Sequence, residues 1–211
     1  MTTKKVIIML FFTMTLVSCH KKEKPTVIEG NVKDFYTQNI IPNVILHIAS
    51  RGNPTDPHIQ PSIYTQAAWV DNIQVNSNGQ FSYETEALSN QSYDLILIND
   101  SLISSNIYHI TSYTKNTFTV LTKKLRNLKL HLINQNNIYN KAIFDIYQDP
   151  FSKSIIINGT SNDTVIFDKV IPDNSYQIHY TLTKPNNQDT SILKNFIIQN
   201  SDTITTYNIT Y

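Results

Sequence analysis

The only cysteine of the chain, Cys19, stands at the end of a short apolar segment near the N-terminus. Lys4 and Lys5 precede this segment, which runs from Val6 to Val17. A positive start, an apolar stretch and a small residue at the end are the parts of a cleavable secretory signal. A helix needs about 20 residues to span a bilayer, so this stretch is too short for a membrane span. The sequence therefore predicts export, with a thiol placed where the signal ends.

The run Leu16-Val17-Ser18-Cys19 resembles the lipobox of bacterial lipoproteins. The resemblance implies that residues 1–18 are removed as a signal peptide, that Cys19 is acylated, with palmitate among its chains, and that residues 19–25 form the tether. Each buried methylene contributes about 0.8 kcal/mol, and a multiply acylated cysteine supplies the second chain that stable anchoring needs. The alternatives are an ordinary secretory signal that ends in Ser-Cys, or a buried free cysteine.

A second set of chemically capable side chains lies on a proline-containing stretch, residues 51–64, and on the strand after it. Prolines lower the entropy cost of ordering a loop, and loops of this length in compact domains are often functional. An aromatic stacking surface beside hydrogen-bonding groups would suit a sugar. Trp69 also shares its alternation with Ile73 and Val75, which favours a core position instead. The candidate binding residues are Asp56, His58, Tyr64 and Trp69.

Metal binding and catalysis find little support in the sequence. His47, His131 and His179 alternate with apolar residues on predicted strands, so we expect their side chains to point into solvent. No closely spaced pair of histidines and no second thiol completes a metal site. The chain also lacks a Gly-x-Ser-x-Gly elbow, a His-Glu-x-x-His motif and a phosphate-binding glycine loop. We therefore expect a protein that is not an enzyme and holds neither metal nor cofactor.

The charge of the chain argues against nucleic acid as a partner. The formal net charge is +1, and only 16% of the residues are charged. Basic residues are scattered, apart from the group Lys21, Lys22 and Lys24 beside the predicted anchor. A nucleic-acid-binding domain would instead show a basic patch or stripe.

Short alternating runs at intervals of about 8 to 12 residues predict that β strands position these side chains, in sandwiches or barrels. Abundant Ile, Thr and Tyr favour strands, while Asn and Asp supply the turns. We therefore expect an all-β fold. In the first half, the predicted strands are 27–33, 43–50, 66–75, 80–85, 92–99, 106–112 and 116–122. In the second half, they are 127–134, 141–148, 153–157, 163–168, 174–183, 191–199 and 202–210.

The two halves match in the order of their local patterns. Residues 81–97 line up with 165–180, because in each an alternating strand leads through an Asn-containing turn to Ser-Tyr and a second strand. Residues 115–120 likewise correspond to 201–205. The match predicts one supersecondary plan used twice, although any two sandwiches share alternation and polar turns. The predicted domains are two tandem Ig-like or prealbumin-like β-sandwiches of about seven strands each, at 26–123 and 124–211.

The first half also resembles the carboxypeptidase-regulatory-like, prealbumin-type domains found in many envelope proteins. The motifs that carry the resemblance are Ile28-Glu-Gly30, Ile41-Pro42-Asn43-Val44 and Asn78-Gly79-Gln-Phe81. Gly30 would permit a bulge or a close backbone approach. Pro42 marks a strand start, where its missing N–H costs little. The Asn78-Gly79 pair favours the positive φ of a tight hairpin.

Together these patterns predict a lipid-anchored protein of the cell envelope that acts as a non-catalytic interaction or scaffold module. Its partner would be another envelope protein or a polysaccharide, bound by loops or along a free sheet edge. One alternative is a glycan-binding lipoprotein of a polysaccharide-uptake system. The other is a structural subunit, because fimbrillins of the Bacteroidota look like lipoproteins with two transthyretin-like domains.

The tether bears on the side of the membrane that the protein faces. Surface-exported lipoproteins of the Bacteroidota resemble one another in an acidic cluster after the cysteine, whereas residues 20–24 here are mostly basic. We therefore expect an outer-membrane lipoprotein on the periplasmic side.

Overall fold

Alternating apolar and polar residues form β strands throughout the described part of the chain. The computed structural model describes residues 24–51, 64, 66–86, 88, 92–135, 138–147, 153–159, 163–200 and 204–211. The predictions for Cys19, Asp56 and His58 lie outside these residues. The helical content of the described residues is one 3-10 turn, Gln66–Ala68, and no helix among them is long and apolar enough to cross a membrane.

The all-β class is confirmed. The strands of the first half are β1 (Thr26–Asp34), β2 (Ile45–Ser50), β3 (Trp69–Gln74), β4 (Gln80–Thr85), β5 (Tyr93–Ile96), β6 (Leu102–Ser104), β7 (Tyr108–Ile110) and β8 (Lys115–Lys124). The strands of the second half are β9 (Arg126–Ile133), β10 (Lys141–Tyr147), β11 (Lys153–Asn158), β12 (Asp163–Val170), β13 (Ser175–Thr183), β14 (Asp189–Ile197) and β15 (Ile204–Thr210).

Strand β6 has no counterpart among the predicted strands. It has only three residues and pairs with Thr122–Lys124, at the end of β8. A run this short shows no measurable alternation, so only its partner strand defines it.

The repeated plan is confirmed by the order of the strands in the sheets. In the first half, β4-β1-β8 lie in one sheet, with β1 antiparallel to β4 and parallel to β8. In the second half, β12-β9-β15 have the same order and the same two pairing directions. The other sheets, β3-β2-β5-β7 and β11-β10-β13-β14, also correspond strand by strand.

The alignment of residues 81–97 with 165–180 is correct for β5 and β13 but is out of register on β12. Tyr93 and Tyr176 both lie in a core, at 7% and 0% exposure. Phe81 is also buried, whereas its matched residue Val165 is 43% exposed. A shift of one residue turns every side chain of a strand to the other face, so the match was out of register there.

Each half buries a separate apolar cluster between its two sheets. The first cluster is built by Ile28, Val32, Leu46, Ile48, Ile73, Val75, Phe81, Leu88, Tyr93, Leu95, Leu97, Ile110 and Val120. The second includes the fully buried Phe144, Tyr176, Ile178 and Tyr180, with Phe144 stacked on Tyr180 at a centroid distance of 5.5 Å. Fully burying one large apolar side chain contributes about 1.5–3 kcal/mol, so each cluster stabilises its own pair of sheets.

Two glycines of the first half perform the roles that packing requires. A Cβ built on Gly30 would lie 1.8 Å from the carbonyl oxygen of Phe118, its partner on β8, so the predicted close approach is confirmed. Gly79 has φ of +70° in a turn that Asn76 Oδ1 caps, accepting from the backbone N–H groups of Asn78 and Gln80. That turn is no simple hairpin, because it joins β3 and β4, which belong to different sheets.

The two halves contact each other beside the short link between β8 and β9. Tyr36 donates to Asp173 Oδ2 at 2.5 Å, and Lys123 Nζ donates to the Pro172 carbonyl at 3.2 Å. A small apolar group also joins them, formed by Ile103, Leu125 and Ile171. The predicted domain boundary between residues 123 and 124 remains a prediction.

Candidate functional site

The sheet β3-β2-β5-β7 carries polar and aromatic groups on the face turned away from the first core. Leu46, Ile48 and Leu95 project into that core. Successive side chains of a strand point to opposite faces, so the residues between them form the outer face. Pairing across β2, β5 and β7 places Ala49, Asp94 and His109 in one row on this face.

A β-bulge decides where Trp69 lies. Ile48 pairs with Asp71, whereas the next residue, Ala49, pairs with Trp69, so Val70 is the extra residue of β3. The bulge cancels the alternation that the sequence gives Trp69 with Ile73. Trp69 therefore packs on the outer face rather than in the main core, which is the one of its two predicted positions that alternation did not favour.

The structure brings two of the predicted binding residues together. Tyr64 and Trp69 are partly buried and both pack against a small cluster formed by Ala49, Ala68 and Ile96. The Trp69 ring lies flat on the His47 ring, with centroids 3.6 Å apart and planes 8° apart. We call Tyr64, Trp69 and His47 the aromatic cluster.

His47 differs from its predicted solvent-facing position. It does lie on the outer face, but Trp69 covers it and leaves it only 9% exposed. Its Nδ1 atom lies 2.7 Å from Asn72 Oδ1, across the β2–β3 pair. The side-chain amide therefore holds the imidazole plane on which the indole stacks. His131 and His179 remain partly exposed.

Next to the aromatic cluster lies an ion trio formed by Arg51, Asp94 and His109. The Asp94 side chain is fully buried, while those of Arg51 and His109 are 42% and 67% exposed. Arg51 Nε donates to Asp94 Oδ2, and His109 Nδ1 lies against Asp94 Oδ1, both at 2.5 Å. Arg51 Nη2 lies 2.8 and 3.3 Å from the two ring nitrogens of His109.

The contact with Asp94 assigns the hydrogen on Nδ1 of His109. Since the carboxylate of Asp94 can only accept, Nδ1 of His109 carries the proton of that contact. Arg51 Nη2 lies nearer to Nδ1 than to Nε2, at 2.8 Å against 3.3 Å, so Asp94 and Arg51 both lie beside Nδ1. The buried Asp94 carboxylate has two charge-assisted partners, and it fixes the orientation of the Arg51 guanidinium and of the His109 imidazole.

The trio opens on a polar cavity of about 280 Å³. Besides the trio, the cavity is lined by Ser92, Tyr93, Ile110, Thr111 and Ser112. Hydroxyl groups thus surround an exposed guanidinium and an exposed imidazole. This set of groups suits a ligand that combines a negative charge with hydroxyls.

Sequence reasoning missed the ion trio because its members lie far apart along the chain. One signal was available, since Asp94 interrupts the apolar run Tyr93–Leu97, and a charge inside such a run needs a partner. Neither Arg51 nor His109 is marked by any local pattern.

No three residues among His, Cys, Asp and Glu gather as metal ligands in the described part of the chain. A second, larger cleft of about 490 Å³ lies on the first half and is lined by Glu29, Gly30, Asn31, Gln74, Asn76, Gln80, Phe81 and Ser82. Its one charged member, Glu29, pairs with Lys115 at 2.8 Å. The ion trio is therefore the more distinctive group of charges.

The second half presents a different surface, the edge strand β14. It is the outermost strand of its sheet and pairs with β13 over nine consecutive residues without a register shift. Leu193 and Ile197 stand on its outer side, at 57% and 59% exposure. A long, regular edge with exposed apolar side chains is a template for pairing with another strand.

No protein-family model and no curated protein matches the sequence. Solved structures match over 89% of the chain at low identity. A leucine-rich repeat protein from Bacteroides thetaiotaomicron is 10% identical with a TM-score of 0.33, and this chain covers 26% of it. A streptococcal ancillary pilin is 12% identical with a TM-score of 0.36 and is covered to 63%. The shaft pilin SpaA of Lactobacillus rhamnosus GG is 10% identical with a TM-score of 0.36 and is covered to 97%. Such similarity assigns no function to this chain.

Proposed function

We propose that this protein is a lipid-anchored, non-catalytic interaction module of the cell envelope, which binds an extended segment of another envelope protein along β14. The observation that supports this proposal is the nine-residue edge itself, with Leu193 and Ile197 exposed on it. An added strand would gain main-chain hydrogen bonds along the edge and side-chain contacts at alternate positions.

The corresponding edge of the first half supports the same proposal. Strand β7 occupies the place of β14 but has only three residues, Tyr108–Ile110. Short edge strands are a common way to prevent unwanted pairing. The same strand order thus has a short edge strand, β7, in the first half and a long edge strand, β14, in the second.

Photo-crosslinking in the native envelope tests this function. A benzoylphenylalanine at Leu193 should give an adduct with a second protein, whose crosslinked peptide is an extended apolar segment. The matched control is the same probe at Val165, which is 43% exposed on the edge strand β12. An equal adduct at both positions, or none at 193, would contradict the proposal. An adduct with a second copy of this chain would support the fimbrillin-like subunit instead.

The lipid anchor belongs to the same proposal. Cells fed a palmitate analogue should label the protein, and Cys19→Ala should abolish the label and release the protein from the membrane fraction. Cys19→Ser is a second variant that preserves side-chain size. On the periplasmic side, the protein would resist protease added to intact cells and be cut after the outer membrane is opened. Labelling that survives C19A would exclude this anchor.

The glycan-binding alternative is favoured by a separate observation. Tyr64 and Trp69 pack against the same small cluster on the first half, and Ala49 of that cluster pairs with Asp94 of the ion trio. An aromatic group beside polar hydrogen-bonding groups is the arrangement that the sequence predicted for a sugar site.

A further inference from the structure

The charge on Asp94 is unexpected where it lies. All four residues of β5 are buried, and the Asp94 side chain has no exposure at all. Removing a carboxylate from water costs several kcal/mol, which its partners must offset. A sheet that only needed a stable surface at this point would not require an ion there.

The second half shows that the plan does not need these ions. The pair Gln177 and Asn195 on β13 and β14 occupies the positions of Asp94 and His109 on β5 and β7. The correspondence is fixed by Tyr176 and Tyr93, the buried tyrosines that precede Gln177 and Asp94. In the second half this row is uncharged and exposed, so the trio is a property of the first half alone.

Asp94 acts as a positioning residue for the two groups above it. It binds Arg51 through Nε and His109 through Nδ1. Nη1 of Arg51 has no hydrogen bond among the described residues, and its side chain is 42% exposed. Guanidinium groups bind carboxylates through their fork of N–H donors. The exposed part of Arg51 is therefore prepared for an anion.

The other side chains that line the cavity favour a ligand that carries hydroxyl groups. The exposed His109 ring lines the cavity together with Ser92, Thr111 and Ser112, whose hydroxyls both donate and accept. The cavity of about 280 Å³ is slightly smaller than the roughly 300–1,000 Å³ typical of drug-sized ligands, which fits one sugar ring.

We propose that this cavity binds a hydroxylated carboxylate, with Arg51 holding the carboxylate and His109, Ser92, Thr111 and Ser112 contacting its hydroxyls. An acidic sugar residue of a polysaccharide and a free sugar acid share this chemistry. The inference deepens the glycan-binding candidate, on which its polysaccharide form rests, and it does not depend on the β14 edge.

Isothermal titration of the full-length lipoprotein in detergent tests the proposal. The probes are glucuronate, oligomers of uronic acid, and the matching neutral glucose and its oligomers. We expect binding of the acidic probes only, weakened as salt is raised because a charged contact is screened. Preference for the oligomer indicates a polysaccharide ligand, and equal binding of the free acid indicates a small solute. No binding of either acid, or equal binding of the neutral sugars, would overturn the proposal.

Variants connect the binding to the trio. Arg51→Gln and His109→Asn should each weaken binding of the acid at least tenfold, and the second variant installs the residue that the repeat itself uses at this position. Lys169→Gln is the matched control, because Lys169 is also a half-exposed cation, paired with Asp100. Unchanged binding in R51Q would overturn the assignment. Melting curves identify any variant that fails to fold, and the other variant then decides.

The positioning role of Asp94 has its own readout. In Asp94→Asn the Arg51 Nε–H should lose its protection from hydrogen exchange, while amide protection in the core of β5 remains. Unchanged Nε–H protection in the folded D94N protein would contradict that role.

Discussion

The two halves share one order of strands and differ in what their corresponding sheets expose. In the first half, the outer face of β3-β2-β5-β7 is occupied by the aromatic cluster and the ion trio, and its edge strand β7 is short. In the second half, the edge strand β14 is long and carries exposed aliphatic side chains. The connection from β2 to β3 spans residues 51–68, whereas that from β10 to β11 spans 148–152. The core of this strand order therefore tolerates two different surfaces, because binding groups lie on faces and edges that the core does not use.

Among single substitutions, Gly30→Ala is expected to destabilise the first half most. Its new Cβ would meet the Phe118 backbone at 1.8 Å, so the parallel β1–β8 pair must separate. We expect a loss of about 4 kcal/mol or more in the free energy of unfolding, at the upper end for single substitutions. Urea unfolding followed by far-UV circular dichroism, which reports the strands of both halves, measures it. Gly159→Ala is the control, since its Cβ meets nothing within 4 Å and only the left-handed φ of +87° costs about 1–2 kcal/mol. Comparable losses in both variants would show that the close approach is unimportant.

Matched core truncations test whether the halves unfold separately, as the proposed two-domain division requires. Leu95 and Ile178 are both fully buried, one in each core. Each change to Ala should cost about 2–5 kcal/mol. If the halves are independent, only Leu95→Ala shifts the unfolding midpoint reported by Trp69. A single transition that both variants shift equally would argue for one cooperative unit.

Tyr36→Phe tests the contact between the halves. Burial, and then the hydrogen bond to Asp173, raise the pKa of Tyr36 well above its ordinary value. The folded pKa of Tyr36 exceeds the unfolded value near 10. Its contribution to the free energy of unfolding is therefore complete below about pH 10 and is lost as pH rises towards the folded pKa.

We expect Y36F to lower the free energy of unfolding by about 0.5–1.5 kcal/mol at pH 7. The difference in melting temperature from the unaltered protein should shrink above pH 10. A pH-independent difference would mean that the phenol proton is not involved.

The smallest effect on stability is expected on the β14 edge. Leu193→Thr keeps a β-favouring side chain, and Leu193 is 57% exposed, so the free energy of unfolding should change by less than about 0.5 kcal/mol. The partner adduct of the envelope should nevertheless be lost. A large loss of stability would indicate that Leu193 packs within the chain, which would remove the basis for docking at this edge.

Elements that depend on local patterns could be predicted from the amino-acid sequence. Alternation predicted β4 at its observed bounds, residues 80–85, and the Ser-Tyr pattern correctly matched Tyr93 with Tyr176. The repeated order of strands was also readable, because a duplicated hydrophobic pattern repeats along the chain. The lipid anchor at Cys19 is likewise a prediction from sequence alone.

Features that depend on the pairing of strands could be seen only in the folded chain. The bulge at Val70 turned Trp69 away from the core, although the alternation of its own strand predicted the reverse. The one-residue slip at Val165 and the short strand β6 have the same origin. Alternation within one strand carries no record of register, which two strands set together.

The candidate site depends still more on folding. The ion trio forms because β2, β5 and β7 are neighbours in a sheet, with Arg51 directly after β2, Asp94 on β5 and His109 on β7. No spacing in the sequence brings these residues together. Their chemistry could be read from the residue types, but their meeting required distant strands to pair. Local alternation thus predicted the scaffold of this protein, and long-range pairing produced the group of charges that gives it a candidate site.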